Sequence, residues 1–121
     1  MYSPQVLDHF EHPRNSGELP GASARAQVEN PVCGDVLELA IKLQNGIITE
    51  ARFRARGCVA SVACASMLTE LLAGKSVAET GQIGRELLTE SLGGLPPGSS
   101  HAADLSLDAL TALLPGLRAK G

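Results

Sequence analysis

LELAIKLQNGIITEARFRARGC, residues 37–58, decides the architecture, because apolar residues recur at every second position on both sides of a turn. Leu37, Leu39, Ile41 and Leu43 alternate with Glu38, Ala40 and Lys42. After Gln44-Asn45-Gly46, the series Ile47, Thr49, Ala51, Phe53 and Ala55 alternates with Ile48, Glu50, Arg52, Arg54 and Arg56. A period of two marks half-buried strands, so 37–56 is expected to be a β-hairpin. A two-residue Asn45-Gly46 loop would set Leu37 opposite Arg54 and Leu39 opposite Arg52, apolar face against charged face, and that pairing should lose. A three-residue loop, Gln44-Asn45-Gly46 with Gly46 in a left-handed bulge position, sets Leu39 opposite Ala51 and Leu37 opposite Phe53; this is the expected register. Upstream, Ala24, Ala26 and Val28 alternate with Arg25, Gln27 and Glu29, which supplies a further strand.

Outside the strands the period is helical. Ser3-Pro4 opens a short helix with Val6, Leu7 and Phe10 on one face, and Pro13 stops it by residue 12. The Pro- and Gly-rich stretch 12–21 reads as a surface loop. The Ala-rich run after Cys58 predicts a helix over 59–73, stopped by Gly74-Lys75. Thr80 is expected to cap a helix carrying Ile83, Leu87 and Leu88, with 93–100 as a loop beyond it. Ser99 or Ser100 then caps a last helix, which Pro115-Gly116 closes. Strands clustered first and helices later indicate one α+β domain over 1–121: a small three-stranded antiparallel sheet with helices packed on one face.

Composition narrows the function. A chain of 121 residues with 44% hydrophobic content suits a single core, and with 2% aromatic residues and no Trp that core must be built from Leu, Val, Ile and Ala. The net charge of −3 gives no electrostatic footprint for nucleic acid, and no apolar run is long enough to span a membrane. The N-terminus lacks a basic-then-apolar secretion pattern, so a cytoplasmic location with reduced thiols is expected. Three cysteines then read as metal ligands, reactive thiols or core residues before they read as disulfides.

Cys33 and Asp35 flank Gly34 just ahead of the first hairpin strand, and the second strand returns to Gly57-Cys58 at nearly the same level. With neighbouring strands about 4.8 Å apart, Cys33, Asp35 and Cys58 should gather at one end of the sheet. Thiolates and a carboxylate suit zinc or iron, although Gly and Asp also suit an ordinary turn. Cys64 shares a helical stripe with Leu68, Leu71 and Leu72, so it is expected in the core, with a role as spare ligand the other reading. His9 and His12 are expected at the surface. His101 follows a loop that could swing it to the site. Arg52, Arg54 and Arg56 read as a solvated strand face, or else as a dock for an acidic partner.

Several motifs occur in order along nearly the whole chain: YSPQVLDHFEHPRNSGEL, PVCGD, FRARGCVASVACAS, TELLAGKS and LPPGSSHAADL. Together they resemble the IscU/NifU N-terminal type of iron–sulfur cluster assembly scaffold. The resemblance implies an α+β fold in which cysteines, an aspartate and a histidine surround a zinc ion or a nascent [2Fe-2S] cluster, with sulfur delivered by a cysteine desulfurase. Position by position, Cys33 matches the first ligand cysteine, Asp35 the aspartate, Cys58 the second cysteine and His101 the histidine.

Two departures qualify that resemblance. Ala102 stands where the family has a third ligand cysteine, so persulfide receipt and standard cluster building are put in question. Leu95-Pro96-Pro97 matches the chaperone-recognised loop, but Gly98-Ser99 replace the Val-Lys of chaperone-dependent members, which speaks against an Hsp70-type chaperone. The leading expectation is a non-catalytic scaffold or carrier holding a cluster or a zinc or iron ion through Cys33, Asp35, Cys58 and His101, for passage to apo iron–sulfur acceptors. The alternatives are a zinc-dependent sulfur acceptor with Cys33 or Cys58 carrying the persulfide, and a degenerate module that binds a desulfurase without assembling anything.

Overall fold

The computed structural model describes residues 2–31 and 34–120, the last three of these as backbone alone. In chain order come α1 (Pro4–Glu11), β1 (Ala24–Glu29), β2 (Val36–Gln44), β3 (Ile47–Arg56), α2 (Val59–Leu72), α3 (Arg85–Ser91) and α4 (Ser100–Lys120), with short 3-10 turns at Ala78–Gln82 and Pro97–Ser99. The strands form an antiparallel sheet in the order β1-β2-β3. α2 and α4 cover one face of it, and α1 packs on α2. No helix among the described residues is long and apolar enough to cross a membrane.

The hairpin departs from the expected register, and the reason is steric economy at the turn. Asn45 (φ 54°) and Gly46 (φ 78°) form a two-residue turn with both central residues left-handed, the geometry that matches strand twist. Gln44 therefore pairs with Ile47 and Leu43 with Ile48. A bulge follows: Lys42 pairs with Glu50, so Thr49 is the extra residue on β3. That single insertion flips the parity and sets Leu39 opposite Phe53 and Leu37 opposite Ala55, apolar on apolar, without a three-residue loop. It also reverses the first part of β3, where Ile48 is buried and Ile47 is 39% exposed.

β3 is an edge strand whose free backbone is partly occupied. Asn15 O accepts from Phe53 N, Gly17 N donates to Phe53 O, and Ser16 bridges to Phe53, so the predicted surface loop 12–21 is in part a strap along the sheet. At the other end Ile48 N donates to Lys75 O and Gly74 N to Ile48 O, tying the hairpin to the exit of α2. Unpaired edge groups invite association, and these contacts satisfy two of the positions. Among the arginines of the outer face, Arg52 pairs with Glu50, and Arg54 with Glu18 and Glu38.

α2 is buried nearly all round. Ala60, Ser61, Ala63, Cys64, Ala65 and Ser66 are small enough for β3, α1 and α4 to approach closely, and Leu68 and Leu72 fill the space beyond them. Three helix expectations need correction. Thr80 caps nothing: it lies inside the 3-10 turn, whose entry is a reciprocal pair between Ser76 and Glu79, and α3 starts after Gly84. Ser99 lies in a 3-10 turn and Ser100 already has helical dihedrals (−61°, −26°), so α4 grows out of a turn begun by Pro96 rather than from a serine cap. Pro115-Gly116 do not close α4, which runs on to Lys120. An interior proline costs about 3 kcal/mol, but carrying the helix one turn further buries Leu117 completely, worth roughly 1.5–3 kcal/mol, and the bare Gly116 rests against Ala24 of β1.

α1 also turns a different face inward from the one expected. Leu7 and Phe10 are 42% and 39% exposed, while Val6 and His9 are buried. Ser3 Oγ caps α1 by accepting from Val6 N and donates to Leu92 O, which fixes the helix roll. His9 is thus not a surface residue. Its Nδ1 lies 2.7 Å from Ser66 Oγ and its Nε2 3.3 Å from Glu70 Oε1. The Glu70 carboxylate only accepts, so in the neutral ring the proton sits on Nε2 facing it and Nδ1 accepts from Ser66 Oγ, which itself accepts from Arg14 N.

Burial, aided by the Arg14 charge and opposed by Glu70 and Asp8, lowers the His9 pKa from 6.5. Folding therefore favours the neutral ring. Its contribution is fully present above the unfolded pKa and is lost as pH falls from there towards the lower folded value, since the unfolded chain takes up the proton first. The parent should thus lose urea resistance between about pH 7.5 and about pH 5.5, and His9→Gln should lose less over that window. Equal losses in the two proteins would remove His9 as the source.

Candidate metal centre

Three side chains from three elements meet at the end of the sheet away from the hairpin turn. Asp35 directly precedes β2, and pairing of Val36 with Arg56 brings it level with Gly57. Cys58 is the N-cap of α2 and makes no side-chain capping bond, which leaves its sulfur free to face the sheet end. His101 sits in the first turn of α4, delivered by the 3-10 turn at Pro97–Ser99. The ligand atoms of Asp35, Cys58 and His101 all lie within 4.8 Å of one another.

The spacing can be tested against coordination chemistry. Asp35 Oδ2 is 3.5 Å from Cys58 Sγ and 3.8 Å from His101 Nε2, and Cys58 Sγ is 3.9 Å from His101 Nε2. Tetrahedral zinc, with bonds of about 2.0–2.3 Å, requires donor atoms about 3.3–3.6 Å apart. The three donors fit a metal with shifts of a few tenths of an ångström, and thiolate, carboxylate and imidazole form a donor set suited to zinc or iron.

Two residues that sequence reasoning did not single out hold Asp35 in place. Gly57 lets the carboxylate lie flat against the chain, since a Cβ there would stand 2.6 Å from Asp35 Cγ. Ser61, one turn into α2 and buried, donates from Oγ to Asp35 Oδ2 at 2.6 Å and lies 3.3 Å from Cys58 Sγ. The signal for Ser61 was its spacing: a hydroxyl three residues after a helix N-cap points back towards the cap.

The other candidates fall elsewhere. Cys33 lies outside the described residues. Cys64 is fully buried in the core cluster, and burial, with a smaller push from Cys58, raises its thiol pKa to about 12. Ala102 is also fully buried in that cluster, so the position next to His101 is packed with the core. His12 is exposed.

Residues 1–120 match the family model of the NifU-like N terminal domain. The chain is 43% identical over 110 residues to the iron-sulfur cluster assembly scaffold protein IscU 1 of Archaeoglobus fulgidus, covering 91% of this chain and 72% of that one. It is 41% identical to the iron-sulfur cluster assembly scaffold protein IscU of Haemophilus influenzae, covering 98% and 97%. Among solved structures, a nitrogen-fixing NifU-like protein (N-terminal) from Brucella abortus superposes with a TM-score of 0.77 at 17% identity, over 98% of this chain and 95% of that one. A putative SUF-system scaffold from Fervidobacterium islandicum gives 0.79 at 20% identity, over 93% and 96%, and both likenesses speak for the fold.

The contrast between the two described thiols is open to direct measurement. In a Cys33→Ser background, the folded protein should expose one thiol to a small alkylating reagent, that of half-buried Cys58. Cys64 should react only after unfolding. A second thiol reacting in the native state at the rate of the first would contradict the sealed core position.

Proposed function

The chain belongs to the NifU-like N-terminal domain family, and from that membership together with the sheet-end geometry we propose that it is an iron–sulfur cluster assembly scaffold whose cargo is held by Asp35, Cys58 and His101, with Cys33 as the fourth ligand. The observation that carries this reading is the spacing of the three donor atoms, which lies within a few tenths of an ångström of a coordination shell. Sulfur comes from a cysteine desulfurase, and the finished [2Fe-2S] cluster passes to apo acceptor proteins. A zinc or iron ion is the alternative occupant that the same donors suit. The protein supplies ligands and a partly shielded pocket and turns over no substrate of its own, in the cytoplasm. With Ala102 in place of a third thiol and Cys64 sealed in the core, sulfur can be received only by Cys33 or Cys58.

The same scarcity of thiols favours a second reading, in which the chain is a zinc-dependent sulfur acceptor that passes persulfide on without building a cluster. Anaerobic incubation with ferrous iron, cysteine and a desulfurase, without and then with an added dithiol that reduces persulfide sulfur to sulfide, separates the readings. Visible absorption from a bound cluster supports the scaffold. Persulfide without a cluster supports the acceptor, and neither product would leave a binding module that assembles nothing.

Metal binding itself is expected to follow the geometry. Zinc at a hundredfold excess over its dissociation constant should stabilise the parent by about 2.7 kcal/mol, raising its melting temperature by several degrees. Cys58→Ala should weaken binding by more than the roughly 10–100-fold typical of losing an outer partner, whereas Cys64→Ala should leave it unchanged. Loss of binding in Cys64→Ala with retention in Cys58→Ala would overturn the ligand assignment.

A further inference from the structure

The oxygen of Asp35 that faces Cys58 and His101 is also the oxygen held by Ser61. Ser61 Oγ donates to Oδ2 at 2.6 Å, and Oδ2 lies 3.5 Å from Cys58 Sγ and 3.8 Å from His101 Nε2. The hydroxyl is buried, as is the carboxylate. On one side Asp35 lies in close contact with the bare Cα of Gly57. A carboxylate turns readily about its last torsion, which has broad preferences, so its orientation is set by what it bonds to.

We propose that Ser61 is a positioning residue for the metal centre: its hydroxyl turns the Asp35 carboxylate so that Oδ2 presents to a metal held by Cys58 and His101. The inference rests on the metal-centre reading above and adds a residue to it. Ser61 sits on the same first turn of α2 that presents Cys58, so one helix end supplies a ligand and orients a second one that arrives from β2. Ligand carboxylates oriented in this way hold metal about 10–100-fold more tightly than unsupported ones. Ser61 Oγ also lies 3.3 Å from Cys58 Sγ, so the test must separate an effect through Asp35 from one through the thiol.

Cobalt(II) is the probe, because its visible bands report the ligand geometry and its near-ultraviolet band reports the thiolate. Ser61→Ala should bind cobalt about 10–100-fold more weakly, with shifted visible bands and the thiolate band retained. Ser61→Thr, which keeps the hydroxyl, should restore the parent spectrum. In a double-mutant cycle, adding Ser61→Ala to Asp35→Ala should cost nothing further, since the serine acts through the aspartate. Metal-free Ser61→Ala should melt below the parent, because a buried carboxylate loses a hydrogen bond, so affinity and spectrum rather than melting carry the test. Parent-like affinity and spectrum in Ser61→Ala, or full additivity in the double variant, would overturn the proposal. A parent that shows no thiolate–cobalt band would overturn the metal-centre reading itself, an outcome distinct from either of those.

Discussion

One extra residue in β3 sets the geometry on which the site depends. The Asn45-Gly46 turn alone would put the charged side of β3 against the apolar side of β2, and the bulge at Thr49 corrects the parity before the strands reach the core. Its effect is felt at the far end of the hairpin. With Val36 opposite Arg56, Asp35 comes level with Gly57 and next to the start of α2. A register two residues different would preserve the apolar face but place Asp35 beside Ala55, out of step with Cys58. The core tolerates either arrangement; the candidate centre tolerates one.

The packing of α2 serves the same end. Small residues fill its first turns, so the helix sinks into the protein and its N-terminus is held between the sheet and α4. Cys58 occupies the cap position, where serine or aspartate would ordinarily turn back to bond the helix's own N–H groups. It makes no such bond, and its sulfur lies instead towards Asp35, Ser61 and His101.

Much of this was legible in the sequence because it rests on periodicity. The strands and the run of α2 follow from alternation and helical spacing, and the motif order singled out His101; that Asp35 and Cys58 share one end of the sheet was legible, but the pairing that brings them level was not, since the expected register sets Asp35 opposite Ala55. What was not legible depends on contacts without a period. The bulge could not be seen because Thr49 fits either face. His9 was read as surface because the roll of α1 is set by Ser3 meeting Leu92, 89 residues away. The passage of α4 through Pro115 depends on Leu117 and on Ala24 beneath Gly116, neither of which is a local signal. Ser61 and Gly57 looked like ordinary helix and turn residues until a carboxylate was found resting on both.

The strap at Asn15–Gly17 and the tie at Gly74–Lys75 have a consequence for recognition. They occupy the outer backbone of β3 at Phe53 and at Ile48, leaving between them fewer residues than an average strand of about five or six. A visiting chain therefore finds no uninterrupted rail along this edge on which to lay down a fourth strand. Partners that approach from this side must read side chains, such as the arginines and glutamates of the outer face, rather than the main chain. Sequence-independent zippering is denied there, and discrimination falls to residues that single substitutions can change.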